Sequence, residues 1–298
     1  MSPAPSRAEQ GELRAERRFD ANAPLGVFDS GLGGLTVAAA LRQALPNERI
    51  VYLGDTARVP YGTRSPETVV RYARGCARLL IGRGVKALII ACNTVSAVAV
   101  DILRAELDLP VLGVVEPGAK AALEALAAVG GAQRVGVLGT AGTVASGAYP
   151  RAVSQLSTRV EVVVQAAPLL VPLVEEGWLT GEVPRLAVRR YVEPLIQAGV
   201  SVILLGCTHY PLLKRTIAEV AAELSGRQLP VVDSAQATAA AVQAWVQEQR
   251  ITPASSPPPA GEELILLVTD LPKSFANMAE QMLGAGAPQV TQVDLGPA

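Results

Sequence analysis

The chain has 298 residues, which is enough for one large domain or two of ordinary size, and we expect two. Half of the residues are apolar but only 4% are aromatic, so Ala, Val, Leu and Ile must build the core, which favours parallel strands packed between helices. The formal net charge is −1 and Lys and Arg do not cluster, which argues against nucleic acid as the main partner.

The start of the chain mixes charges of both signs and lacks the apolar run of a signal peptide, so we expect residues 1–24 to form a disordered tail. Apolar stretches elsewhere fall short of the roughly 18 residues of a membrane span, so no membrane partner is expected. The cysteines Cys76, Cys92 and Cys207 are far apart and do not resemble a disulfide framework. These features predict a cytoplasmic protein.

From Gly26 onward, short β-branched runs alternate with longer Ala- and Leu-rich stretches of helical period, the pattern of βαβ units. Strands are predicted at Val27–Phe28, Ile50–Leu53, Ala87–Ala91, Val111–Val114, Val135–Leu138, Val160–Val164, Val202–Leu205, Val231–Val232 and Leu264–Val268. Crossover helices are predicted at Thr36–Leu45, Pro66–Arg83, Ser96–Leu107, Pro117–Val129, Val183–Ala198, Pro211–Leu224 and Ala235–Gln249. The Pro-rich segment Thr252–Glu262 is predicted to be a surface loop.

Two parts of the chain echo each other weakly. The segment that starts at Gly26 resembles the one that starts at Gly136, and Ile89–Thr94 resembles Leu204–His209, although apolar strands followed by small residues can also look alike by chance. We predict an α/β fold of two pseudo-symmetric, doubly wound parallel-sheet domains with the active site in the cleft between them. The first domain is expected to span 25–115 plus 230–290, and the second 116–229.

Polar clusters directly follow several predicted strands, and in open α/β sheets ligands bind at the carboxyl ends of strands. The clusters are Asp29-Ser30, Asp55-Thr56, Cys92-Asn93-Thr94 and Cys207-Thr208-His209. Any one of them could be a helix cap or a turn. Four clusters at equivalent positions favour a single polar site.

Cys92 and Cys207 are the strongest candidates for chemistry, because each lies between an apolar strand and the following helix. The dipole and free N–H groups of a helix N-terminus favour the thiolate over its unperturbed pKa of about 8.5. Such a cysteine can act as a base or a nucleophile, or it can be a buried apolar residue. Cys76 shares a helix face with apolar residues and is predicted to belong to the core.

Other polar residues near these thiols have more than one interpretation. His209 is the only histidine, and it can tune Cys207, carry a proton, cap a helix or orient a substrate. A zinc site is not expected, because the chain has neither a CxxC pair nor a second histidine. Asp29 precedes a glycine-rich turn suited to binding a carboxylate, without the spacing of a nucleotide loop. Glu175 on its own is predicted to be a solvated helix end.

Taken together, these motifs resemble those of the glutamate racemases, within the aspartate/glutamate racemase family, from about Gly26 to Leu283. The matching segments are Phe28–Gly34, Leu53–Thr56, Pro60–Gly62, Ala91–Thr94, Gly139–Thr143, Val171–Glu175, Gly206–Pro211 and Val268–Asp270 with Phe275. One departure is Ala167, where many relatives have a cysteine, and it affects neither of the two main thiols.

The resemblance implies cofactor-independent interconversion of L- and D-glutamate, supplying D-glutamate for peptidoglycan, with Cys92 and Cys207 as acid/base catalysts. It implies that Asp29 and His209 each assist one thiol and that Glu175 is an auxiliary acid near the second. Substrate contacts are then expected from Asp29, Ser30, Tyr61, Gly62, Asn93, Thr94, Thr140, Thr143, Thr208 and His209. No metal is expected. The resemblance also implies that the protein forms a homodimer.

The chemistry explains why two thiols are wanted, because inversion at Cα removes a proton from one face and returns one to the other. Without a PLP-binding lysine motif, donors around the substrate carboxylate and the exclusion of water must stabilise the carbanionic transition state. The nearest alternative is an aspartate racemase, although the resemblance at His209 favours glutamate. A non-catalytic amino-acid-binding protein would not need paired thiols, and a thiol hydrolase or phosphatase would need an arginine after Cys92.

Overall fold

The computed structural model describes residues 20–130, 132–271, 275–284 and 288–296, so most of the predicted tail lies outside the described residues. The strands are β1 (Leu25–Asp29), β2 (Ile50–Gly54), β3 (Ala87–Ile90), β4 (Val111–Gly113), β5 (Arg134–Gly139), β6 (Glu161–Ala166), β7 (Val202–Gly206), β8 (Val231–Asp233), β9 (Leu264–Val268) and β10 (Val290–Gln292).

The helices alternate with these strands along the chain. They are α1 (Leu35–Ala44), α2 (Pro66–Gly82), α3 (Asn93–Glu106), α4 (Val115–Val129), α5 (Ala141–Ala145), α6 (Ala148–Leu156), α7 (Leu170–Glu175), α8 (Glu182–Gln197), α9 (Lys214–Ser225), α10 (Ser234–Gln247) and α11 (Phe275–Leu283). Short 3₁₀ helices span Thr56–Arg58, Tyr61–Thr63 and Tyr210–Leu213. Within the described ranges, no helix has both the length and the apolarity to cross a membrane.

The strands form two parallel sheets, with the orders β10-β9-β2-β1-β3-β4 and β6-β5-β7-β8. Helices α1, α10 and α11 pack on one face of the first sheet, and α2 and α3 on the other. Helices α8 and α9 pack on one face of the second sheet, and α4 and α6 on the other. The predicted α/β class with two parallel sheets between helices is confirmed. We call each sheet with its helices the first or second lobe.

The fold differs from the sequence prediction in a few elements. Strand β8 pairs with β7 in the second sheet, although residue 230 was expected to begin the return to the first domain. The sequence pattern also does not predict β10, an edge strand of three residues, because it contains no apolar run. Helix α6 is missed too; its third residue is a proline, which lies in the first turn, where the missing N–H costs little.

A buried ion pair at the amino end of the first sheet anchors two irregular segments. Lys86 and Glu48 are only 2% and 4% exposed, and Lys86 Nζ lies 2.6 Å from Glu48 Oε2. Lys86 Nζ also donates to the carbonyl oxygens of Ala21 and Thr252, at 2.6 and 2.8 Å. Glu48 Oε1 accepts a hydrogen bond from the N–H of Ala254. The start of the predicted Pro-rich loop is therefore fixed to the first lobe.

We expect Lys86→Met to lower the free energy of unfolding by about 3 kcal/mol, because the substitution leaves the Glu48 carboxylate buried without its partner. The matched control is Arg74→Met, which removes the exposed ion pair with Glu106 and should cost less than about 1 kcal/mol. Urea unfolding followed by circular dichroism measures both. Equal losses in the two variants would contradict a special role for the buried pair.

Candidate active site

The carboxyl ends of strands from both sheets meet around a cavity of about 280 Å³. Ser30 follows β1, Cys92 follows β3, Thr140 follows β5 and Cys207 follows β7. The full lining consists of Ser30, Val59, Pro60, Tyr61, Gly62, Thr63, Cys92, Asn93, Thr94, Thr140, Ala141, Pro168, Val171, Pro172, Glu175, Cys207, Thr208 and His209. The two predicted thiols therefore open onto the same space, one from each lobe.

Cys92 is the residue before helix α3, is 5% exposed, and donates from Sγ to Ser30 Oγ across 3.5 Å. Burial raises the pKa of this thiol to about 12, and the charges of Asp29 and Cys207 add to the rise. The Ser30 hydroxyl and the N–H of Val95 act in the opposite direction. The expectation that the helix N-terminus favours the thiolate form of Cys92 is therefore wrong, because desolvation outweighs the effect of the helix.

Cys207 directly follows β7 and is 6% exposed, with Sγ 3.8 Å from His209 Nδ1. Burial lowers the pKa of the His209 imidazole, but its contacts with Cys207 and Glu175 and the charges of Cys207 and Asp29 outweigh this effect. Together they raise that pKa to about 10. Nε2 lies 3.3 Å from Glu175 Oε1, too poorly aligned for a regular hydrogen bond. Glu175 ends helix α7, as the sequence predicts, and it also lines the cavity.

Asp29 ends β1 and is 1% exposed, so it lies behind the cavity lining rather than in it. Oδ2 accepts a hydrogen bond from the N–H of Gly31 at 3.0 Å, and Oδ1 accepts one from Thr208 Oγ1 at 3.5 Å. Burial raises the pKa of the carboxyl, whereas His209 and the N–H groups of the turn lower it. Because its charge acts on both Cys92 and His209, Asp29 links the electrostatics of the two thiols.

Asn93 lines the cavity and carries a side-chain amide N–H₂ group that can donate hydrogen bonds. The Tyr149 hydroxyl donates to Asn93 Oδ1 at 2.6 Å, which fixes the orientation of the amide. The buried Nδ2 has no hydrogen-bond partner among the residues that the structure describes. An unpaired buried N–H group costs free energy, so this amide is suited to donate to a carboxylate in the cavity.

Three threonine hydroxyls join the lobes beside the cavity. Thr94 Oγ1 lies 2.9 Å from Thr140 Oγ1 and 3.3 Å from Thr143 Oγ1, and the latter two are 3.0 Å apart. Thr94 and Thr140 line the cavity, but Thr143 is buried behind them. The structure therefore gives Thr143 a place in the support of Thr94 and Thr140.

Two glycines allow the lobes to approach each other closely. A Cβ atom at Gly33 would lie 2.6 Å from His209 Nδ1 and would overlap Thr208 Oγ1. A Cβ atom at Gly62 would lie 2.8 Å from Thr140 Cβ. The sequence predicts that the turn after Asp29 binds a carboxylate. The structure shows a further role for this turn, because the lobes can approach this closely only with glycine at position 33.

The apolar wall of the cavity is not predicted from the sequence. Val59, Pro60, Pro168, Val171 and Pro172 line it. Apolar side chains carry no chemical signature of a site, although Pro60 and Pro172 lie in or beside the motifs quoted above. Cys76 is completely buried in the core of the first lobe, so its prediction is confirmed.

The single histidine gives a direct test of these electrostatics. We expect the His209 ring protons to titrate in NMR spectra with a pKa of about 10, well above the ordinary 6.5. Glu175→Gln should lower this pKa, because it removes a carboxylate that favours the imidazolium. The neighbouring, exposed Glu176→Gln is the control and should leave it unchanged. A wild-type pKa near 6.5, or equal effects of both variants, would refute this account.

Comparisons with known proteins identify the family. The model of the Asp/Glu/hydantoin racemase family matches residues 35–242. The chain is 46% identical over 271 residues to the glutamate racemase of Geobacter metallireducens, which covers 91% of this chain and 96% of that protein.

Solved structures of glutamate racemases agree closely with the fold. An isoform from Bacillus anthracis matches with a TM-score of 0.84 and 35% identity, over 92% of this chain and 98% of that one. The enzyme from Francisella tularensis, crystallised with D-glutamate, matches with a TM-score of 0.82 and 33% identity, over 93% and 99%. The chain therefore belongs to the Asp/Glu/hydantoin racemase family, and within it to the glutamate racemases, which are isomerases.

Proposed function

We propose that this racemase interconverts L- and D-glutamate without a cofactor, using Cys92 and Cys207 as bases on opposite faces of Cα. The observation that carries the proposal is that two buried thiols, one from each lobe, line one cavity of about 280 Å³. A single fixed base would return the proton to the face it came from, so inversion needs a second acid on the other face. The crystal structure of the related glutamate racemase from F. tularensis contains D-glutamate, which supports the choice of substrate.

In each turnover, the thiolate on one face takes the α-proton, and the thiol on the other face gives its proton to Cα. The two sulfur atoms exchange protonation states, and no net proton enters or leaves. His209, 3.8 Å from Cys207, is suited to stabilise the thiolate on its side, with Glu175 holding the imidazolium. Asp29 lies behind the lining, so its charge is suited to attract the substrate ammonium towards Cys92 without contacting it, and the ammonium would offset the negative charge that raises the pKa of that thiol.

Neutral donors would bind the substrate carboxylates, because among the described residues no Lys or Arg lines this cavity. The candidate donors are Ser30, Asn93, Thr94, Thr140, Thr208 and the backbone of Tyr61 and Gly62. Fixed donors in a space with little water stabilise developing charge better than water does. Val59 and Val171, with the neighbouring prolines, border the cavity with apolar surface, which would limit the water around a bound substrate.

We further propose that the product D-glutamate supplies peptidoglycan synthesis, which is the role implied by the family. The cytoplasmic location and the homodimer expected from the sequence stay predictions. Sedimentation of the purified chain measures the second of these.

Isotope exchange tests the reaction and the substrate together. Incubated in deuterated water with L-glutamate and no added cofactor, the purified chain should lose the circular dichroism signal of the substrate while deuterium enters Cα. L-Aspartate should show neither change under the same conditions. Activity on aspartate alone would favour the aspartate racemase alternative, and no exchange with either amino acid would refute the proposal.

Single cysteine variants test the two-base scheme. Cys92→Ala and Cys207→Ala should each reduce racemisation by about three orders of magnitude, because each thiol takes part in both directions. Cys76→Ala is the matched control; this thiol lies outside the cavity, so turnover should stay within a few fold of wild type. Near-normal racemisation by either of the first two variants would rule out the scheme.

A further inference from the structure

A buried carboxylate behind the cavity wall gathers three side chains. Asp55 is completely buried and does not line the cavity. Its Oδ2 accepts hydrogen bonds from the Tyr61 hydroxyl and from Arg58 Nε, the latter at 2.7 Å, and its Oδ1 accepts one from Thr269 Oγ1 at 2.9 Å. Of these three donors, Tyr61 belongs to the cavity wall.

Thr269 brings the end of β9 into this cluster. Its Oγ1 accepts a hydrogen bond from the N–H of Ala57 at 2.9 Å while donating to Asp55. The backbone N–H of the next residue, Asp270, donates a hydrogen bond to Thr56 Oγ1 at 2.8 Å. The Thr56 hydroxyl in turn donates a hydrogen bond to the carbonyl oxygen of Asp270. Thr269 and Asp270 therefore connect the 3₁₀ turn Thr56–Arg58, which precedes the cavity wall, to the end of β9. The proposed reaction gives these two residues no role.

The cavity wall at this point is the segment from Val59 to Thr63, and little regular secondary structure fixes its position. The segment from Val59 to Thr63 contains a short 3₁₀ turn, and it pairs with no strand of the described ranges. Within it, the Tyr61 side chain is 1% exposed and makes its polar contact with Asp55. Burial raises the pKa of Tyr61, so the phenol stays neutral and remains a hydrogen-bond donor. The adjacent Gly62 contacts Thr140 of the second lobe, so the position of the wall also sets the width of the cavity.

We propose that Thr269 and Asp55 are positioning residues for the racemase reaction: they hold Tyr61, and through it the cavity wall from Val59 to Thr63, without touching the substrate. Thr269 fixes one carboxylate oxygen of Asp55, so that the other oxygen faces the Tyr61 hydroxyl. Arg58 forms an ion pair with this buried carboxylate, its Nε lying 2.7 Å from Oδ2. The activity part of the test rests on the proposed function.

Thr269→Val keeps the shape of the side chain and removes the hydroxyl. We expect kcat/KM for glutamate to fall about tenfold, mainly through a higher KM, because one hydrogen bond to a buried carboxylate is lost. The melting temperature should stay within about 2 °C, since water can reach the Ala57 N–H that loses its acceptor. Thr269→Ser should restore kcat/KM. Thr291→Val, on the exposed face of β10, is the matched control and should match wild type.

A double-mutant cycle with Tyr61→Phe separates positioning from a purely structural role. If Thr269 acts through Asp55 on the Tyr61 hydroxyl, Thr269→Val should lower kcat/KM less than about twofold further once that hydroxyl is gone. An equal fall of kcat/KM in both backgrounds would overturn the proposal. Failure of Thr269→Ser to restore the wild-type value would overturn it as well.

A second measurement does not depend on activity. NMR spectra of protein labelled with ¹³C at the tyrosine ζ carbon report the environment of each phenol, and Tyr61→Phe identifies the Tyr61 signal. Thr269→Val should shift this signal, whereas Thr269→Ser and Thr291→Val should leave it in place. An unchanged signal in Thr269→Val overturns the positioning role. If the wild-type chain fails to racemise glutamate, the proposed function fails and the NMR result still decides this inference.

Discussion

The close contact of the two lobes at Gly33 and Gly62 is the constraint on which the site depends. Each thiol sits at the end of a strand in its own sheet, so a shared cavity exists only if the carboxyl edges of both sheets meet. Side chains at these glycines would overlap His209 and Thr140 and separate the edges, because packed interiors have little free volume. The same contact brings Asp29 of one lobe next to Thr208 of the other, which explains why one carboxylate influences both halves of the site.

Burial acts on this cavity in two opposing ways. It strengthens the electrostatic interactions of the donors that line the cavity, because the local dielectric constant is low. The same burial raises the pKa of Cys92 to about 12, which favours the protonated thiol. The second thiol has a cationic neighbour in His209, whereas the first has a carboxylate. The two thiols therefore lie in unequal electrostatic surroundings.

The extent of successful prediction follows the range of the interactions involved. Strands and most helices were predictable because hydrophobic periodicity is local, and polar residues at strand ends located the cavity. The pairing of β8 with β7 was not predictable, because contacts between residues distant in sequence decide which strands are neighbours. The direction of the Cys92 pKa was predicted wrongly, since a helix N-terminus is visible in the sequence and the depth of burial is not. For the same reason, Asp29 and Thr143 were not expected to lie behind the lining.

The late part of the chain illustrates how far such contacts reach. Strand β9 returns to pair with β2, and Thr269 at its end contacts Asp55, 214 residues earlier in the sequence. The cavity wall leaves β2 at that point and, in the part of the chain that the structure describes, pairs with no strand. Its position therefore depends in part on the contact of Asp55 with the end of β9. In the proposed arrangement, a residue can matter to the site through the strand end that it closes rather than through contact with the substrate.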